Sequence, residues 1–250
     1  MPSPKHSGAR LCGQFFLLLL VSTIALQMFW AARIVAMKFI QPESTTFQRS
    51  EMVAMLTQQP LDFTWSHHWV DAQLISPCMQ RAVIASEDST FTTHGGVDWD
   101  AIEKAWAKNQ KRAQRMSEVN HKKKIEPKII GGSTITQQLA KNLFLSGERT
   151  IFRKAQELII TLMLETFLPK RRIIEIYLNN VEWGQGIFGV DAAAWYYMKK
   201  TSRYLSNGQC AQLAVMLPAP KRFQKNSKSS YLQSRASTII ARMPAVNIPH

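Results

Sequence analysis

At 250 residues the chain is long enough for one sizeable core and too short for several, because domains usually contain about 100–200 residues. Its 31 Lys and Arg against 17 Asp and Glu give a formal charge of +14, which favours anionic partners (nucleic acid, phospholipid headgroups or pyrophosphates) without choosing among them. The three cysteines, Cys12, Cys78 and Cys210, contain no Cys-x-x-Cys pair, so neither a zinc site nor a disulfide framework is indicated and at least one free thiol is expected.

Residues 1–10 form a short N-terminal tail carrying Lys5 and Arg10. Residues 11–32 are uncharged and run through Phe15, Phe16, Leu17, Leu18, Leu19, Leu20 and Val21. At about 1.5 Å per residue such a helix crosses a hydrocarbon core of about 30 Å. No Ala-x-Ala site closes the stretch, so an uncleaved transmembrane anchor is expected. Trp30 beside Arg33 suits a membrane interface. Arg33 and Lys38 follow the span as closely as Lys5 and Arg10 precede it, so charge does not orient it. Residues 33–65 read as a connector, with 41–60 rich in Pro, Ser, Thr and Gln, and residues 66–250 as the folded domain.

Ser76 as cap and Pro77 at the first helical position predict a helix that ends near Glu87. Asp100 with Glu103 predicts a second start, followed by an apolar stripe of Ile102, Ala105 and Trp106. Residues 104–128 are strongly basic, and read either as contact with an anionic membrane surface or as a solvated helix and loop. Further helices are predicted over 152–168, 169–180, 190–198 and 210–217, with an irregular turn at Gly184, Gly186 and Gly189. Strand-like alternation is nowhere sustained, so the class is mainly α.

Three segments concentrate chemistry. The first runs from Glu87 and Asp88 through Phe91 and His94 to Gly96 and Asp98, a dense set of ionisable groups at a helix end. The second, Gly131-Gly132-Ser133-Thr134-Ile135-Thr136-Gln137-Gln138-Leu139-Ala140-Lys141-Asn142, has capping-box spacing between Thr134 and Gln137. A helix N-terminus also offers N–H donors and positive dipole to a phosphate. The third is Arg149, Arg153, Lys154 and Glu157, followed by an apolar run. Helical spacing places Arg149, Arg153 and Glu157 on one face, as an ordinary salt bridge would also have it.

Together these blocks, with residues 170–179 and 186–193, resemble family 51 glycosyltransferases, the peptidoglycan polymerases, over about residues 42–243. The single anchor and the length are similar to their monofunctional type, without a transpeptidase domain. Departures are Gln209 where the family often carries Glu, Met198 in place of an aromatic, a longer basic segment, and an incomplete match over 235–243.

The resemblance implies a lysozyme-like, two-lobed helical glycosyltransferase domain that joins lipid II, a lipid-linked disaccharide-peptide, to a growing lipid-linked glycan. A β-1,4 bond forms with inversion, and undecaprenyl pyrophosphate leaves. Single displacement needs a base on the acceptor hydroxyl and charge neutralisation at the leaving group. The resemblance makes Glu87 that base and Glu157 an essential carboxylate, with Ser133, Gln137, Lys141, Asn142, Arg149, Arg153 and Lys154 binding substrate. No tightly bound cofactor is expected, although a divalent cation, Mg2+ or Mn2+, suits the phosphates. The implied partners are lipid II, the glycan, the membrane and cell-wall synthesis or division proteins, not nucleic acid. The implied location is the bacterial inner membrane, with the domain on its periplasmic side. Two competing readings are a lysozyme-like lytic glycosidase and a membrane-tethered adaptor for anionic polymers.

Overall fold

A computed structural model describes residues 5–58, 64–119, 132–145, 147–148, 150–227 and 229–249. It divides into residues 1–40 and residues 41–250. The first unit is helix α1 (Lys5–Ala36). Its stretch Arg10–Ala36, 27 residues with mean hydropathy 2.1, is long and apolar enough to cross a membrane. Phe15, Phe16, Leu18 and Leu20 stand exposed along it, as lipid-facing side chains do in a spanning helix. Cys12, also exposed, is a free thiol.

The composition of residues 41–60 predicts a connector, but Thr46–Gln58 fold as helix α2. The Thr45 N–H donates to Gln48 Oε1 (2.9 Å) and the Gln48 N–H to Thr45 Oγ1 (3.0 Å). This reciprocal cap nucleates a helix inside a turn-rich composition. Met55 and Gln48 are buried, and Thr46 Oγ1 donates to the Leu143 carbonyl, so α2 belongs to the fold and is no stalk.

Strand β1 (Ser66–His67) leads to helix α3 (Pro77–Glu87), which starts at Pro77 as expected, but Ser76 at the N-cap position turns its hydroxyl to Cys78 Sγ (3.2 Å) and makes no side-chain cap bond. Met79, Ala82, Val83 and Ile84 are buried along α3. Helix α4 (Trp99–Val119) opens at Asp98 rather than Asp100: Asp98 Oδ1 accepts from the Ala101 N–H at 2.8 Å. The predicted stripe is only part buried, since Ala105 is covered while Trp106 is 66% exposed. Lys122, Lys123, Lys124 and Lys128 lie outside the described residues.

Helices α5 (Ile135–Phe144), α6 (Ile151–Phe167) and α7 (Lys170–Asn180) follow, α5 packing on both α6 and α7. Strands β2 (Glu182–Gly184) and β3 (Ile187–Phe188) complete a small sheet ordered β1-β3-β2, with β1 parallel and β2 antiparallel to β3. The turn between them needs Gly186, at φ +70°, because a Cβ there would lie 2.0 Å from the Thr64 carbonyl oxygen. Tyr177, Trp183 and Phe188 are fully buried around this sheet and α7.

Helices α8 (Val190–Met198), α9 (Asn207–Met216), α10 (Pro220–Gln224) and α11 (Ser230–Arg242) close the chain. The α9 start lies before the predicted 210, because Ser206 and Gln209 form a second capping box. Gln209 keeps the acceptor that a Glu would supply there. Helix α3 packs against α9 and α11, and Cys78 on α3 is disulfide-bonded to Cys210 on α9, with Cα atoms 6.0 Å apart. This corrects the expectation that no disulfide is indicated. The partners are 132 residues apart in sequence, so only packing brings them together. The class is mainly α, as the helical periodicity predicts.

Candidate active site

Glu87 is the last residue of α3, where a buried helix reaches a partly open surface. Its Oε2 accepts from Gln138 Nε2 at 3.0 Å, and its Oε1 from Ser86 Oγ at 3.4 Å. The Tyr177 hydroxyl donates to Gln138 Oε1 at 2.9 Å, which fixes which end of the amide faces Glu87. Burial pushes the Glu87 carboxyl above its usual range. The bonds from Gln138 and Ser86 pull it back, and the neighbouring Asp88 raises it. Burial also lifts Tyr177 well above the ordinary phenol range, so it remains a neutral donor.

Asp88 ties α3 to α5. One carboxylate oxygen accepts from the Ile135 N–H (3.0 Å), at the start of α5, and the other lies 2.8 Å from His94 Nε2. The Gly96 N–H donates to His94 Nδ1 at 3.1 Å. His94 therefore carries its proton on Nε2, which donates to Asp88. Thr134 Oγ1 donates to the Gly96 carbonyl at 2.6 Å, so both ends of the 88–96 segment are fixed to the mouth of α5. Ligand atoms of Asp88, His94 and Asp98 come within 4.8 Å of one another. Each is already engaged, Asp98 by Thr90 and the Ala101 N–H, so this donor set fits an internal brace rather than a metal site.

Ser133 is exposed and lines an open cavity of about 260 Å³ with Glu87, Asp98, Lys104 and Lys108. Gln137 is turned elsewhere: its Oε1 accepts from the Thr134 N–H at 3.0 Å, closing the predicted capping box. Asn142 is buried. Lys141 is half-buried, and its ammonium makes no hydrogen bond or ion pair with a described residue. Desolvation lowers its pKa and the Glu157 charge raises it, while Arg153 and Lys154 lower it further. Glu157 is 3% exposed on α6. It accepts from Arg153 Nη1 at 2.7 Å and pairs with Lys154. Arg153 Nε is buried without a hydrogen-bond partner among the described residues. Arg149 lies outside the described residues.

The predicted residues thus fall into two neighbourhoods, Glu87 with Ser133 at the mouth of α5, and Lys141 with Arg153, Lys154 and Glu157 across α5 and α6. Gln138, not Gln137, touches Glu87. A signal for this lies in the capping box itself, because its third helical residue must reach back to the cap and only the next amide is free. Asp88 and Tyr177 also emerge from the geometry, each at a motif position whose sequence does not reveal its partner.

The transglycosylase family pattern matches residues 53–244. The chain is 46% identical over 230 residues to the biosynthetic peptidoglycan transglycosylase of Paraburkholderia phytofirmans, covering 92% of this chain and 90% of that one. It is 48% identical over 226 residues to that of Burkholderia thailandensis (90% and 83%). With that of Bordetella pertussis it shares 41% over an alignment of 252 positions that covers 100% of both chains. The match in pattern, extent and length shows that the chain belongs to the transglycosylase family, the lysozyme-like helical enzymes that build peptidoglycan.

Proposed function

We propose that this transglycosylase polymerises lipid II into β-1,4-linked glycan by a single inverting displacement, with Glu87 as base. The observation that carries the reading is the Glu87 carboxylate, raised by burial and steered by Gln138 at the mouth of α5. A raised carboxyl suits a group that must take a hydroxyl proton near neutral pH. The proton of the acceptor hydroxyl passes to Glu87 as its oxygen attacks the anomeric carbon. The carbon–oxygen bond to the pyrophosphate breaks, and the leaving group takes the electron pair.

Lys141, half-buried without an ion-pair partner among the described residues, supplies positive charge to the leaving pyrophosphate, with Arg153 and Lys154 beside it and Arg149 contributing from the adjoining segment. Glu157 holds Arg153 and Lys154 in place. Ser133 lines the Glu87 cavity, whereas Gln137 and Asn142 serve by shaping α5. We assign no resident metal. A divalent cation, Mg2+ or Mn2+, would enter with the pyrophosphate as its counter-ion.

Helix α1 would anchor the enzyme in the bacterial inner membrane, raising its concentration at a substrate whose lipid stays in the bilayer. The Cys78–Cys210 disulfide favours the periplasmic side, since such bonds persist in oxidising compartments. Other cell-wall synthesis proteins are the partners such a position suits. The test incubates the purified full chain in detergent with lipid II, and separately with finished peptidoglycan. Polymer from the first and no fragments from the second are expected. Fragments from finished glycan with no polymer from lipid II would reverse the reading.

A further inference from the structure

A second cavity, of about 300 Å³, opens beside Ser86, the residue before Glu87. The far wall comes from α9, α10 and α11. Val215, Ala219 and Ile239 give it an apolar floor, and Arg222 and Arg235 line its rim. Phe223 and Tyr231, also in the wall, lie parallel within 10°, with ring centroids 6.0 Å apart. Both arginines are exposed, and neither makes an ion pair with a described residue. The chain contains no Asp or Glu after Asp191, so the elements that build this wall bring no carboxylate of their own to neutralise it.

Two guanidinium groups without anionic partners, on an apolar and aromatic floor, suit a ligand with a planar anionic end and an apolar body. The volume accommodates the end of a short peptide and not a whole disaccharide-peptide. Phosphate is the poorer match. It has no apolar body to meet the floor, and the reading above already assigns the pyrophosphate to Lys141, Arg153 and Lys154 on other helices. We propose that this cavity is a subsite for the peptide carried by the saccharide substrate, with Arg222 and Arg235 taking a peptide carboxylate. The subsite rests on the polymerase reading, because it presumes a peptide-bearing saccharide at Glu87. It adds a second point of recognition, which fixes how the sugar meets the base.

The test is a binding measurement, so it stands apart from polymerisation. The full chain in detergent micelles is titrated with a lipid-free disaccharide-peptide bearing its free carboxylate, with the same molecule amidated there, and with inorganic phosphate. The acid should bind about tenfold more tightly than the amide, the scale of an exposed charge-assisted contact. Arg222→Gln and Arg235→Gln should each weaken the acid toward the level of the amide and leave amide binding as in the wild type. Circular dichroism checks the fold of both variants. The proposal is overturned if the acid does not bind, if acid and amide bind alike, or if the variants weaken both equally. Displacement of the acid by phosphate at equal concentration would also overturn it, marking a phosphate site. Failure to polymerise lipid II would instead sink the catalytic reading.

Discussion

Gln138 donates to Glu87 through Nε2 and accepts from Tyr177 through Oε1, so one amide joins the buried phenol of α7 to the carboxylate at the end of α3. The contact lowers the Glu87 pKa against the burial that raises it. Gln138→Ala should therefore move the acid limb of the kcat/KM profile to higher pH, because the base is active only when deprotonated. On that limb the rate should fall about tenfold, as for loss of one charge-assisted bond. Tyr177→Phe should move the limb the same way but less. An unmoved limb in both variants would show that the amide does not tune the base.

Glu87→Gln keeps the shape of the side chain and removes its capacity to take a proton. Polymerisation should drop by at least about a hundredfold, the lower bound for a general base. Donor binding and circular dichroism should stay near those of the wild type. Near-normal turnover by the folded variant would remove Glu87 from the role.

Lys141→Met keeps most of the apolar stem on α5 and deletes the ammonium. Single-turnover rate should fall about a hundredfold while donor affinity changes little, because charge aimed at a leaving group acts chiefly in the transition state. A loss confined to affinity would mean that Lys141 binds ground and transition states equally. Glu157→Gln should differ in kind. It removes the carboxylate that Arg153 and Lys154 share, so it should lower stability by about 3 kcal/mol as well as activity.

Glu182 gives a pH dependence away from the reaction. Burial pushes its carboxyl up to about 7, against the opposing charge of Lys221. Above the ordinary value of 4.5 the unfolded chain releases this proton while the folded chain still holds it. The stability it contributes is therefore full below 4.5 and lost as pH rises through about 7. Glu182→Gln should flatten the decline between pH 5 and pH 8, by on the order of 3 kcal/mol in denaturant unfolding. Parallel curves for variant and wild type would assign the decline to other groups.

The anchor predicts a partition. Membranes holding the intact chain should retain it through alkaline extraction, whereas a chain starting near Arg33 should be much easier to solubilise. Release of the intact chain by salt alone would mean peripheral attachment. Exposed Trp99, Trp106, Ile151 and Phe152 should leave the shortened chain some residual binding.

What was legible in the sequence was local. The Thr134 cap, the Ser76–Pro77 entry and the 190–198 helix each depend on residues a turn or two apart, and all appear where they are predicted. Helix α2 was hidden because Thr45 and Gln48 sit in a run whose average composition favours turns. Periodicity marked Trp106 as part of an apolar face, but cannot say whether another element covers that face. For the candidate site, the motifs single out Glu87, Lys141 and Glu157 but not the side chains that hold them. The bond from Gln138 depends on the phase of α5 against the end of α3, which only the packed structure supplies.

The bond between Cys78 and Cys210 makes part of the chain a closed loop. Glu87, Ser133, Lys141 and Glu157 all lie within it, and so does the basic segment of residues 104–128. A single backbone cut anywhere on that loop yields two pieces that stay one molecule until the sulfurs are reduced. On a denaturing gel the pieces of nicked protein would then run as one band without reductant and separate with it, so the band size under oxidising conditions does not report whether the chain is whole.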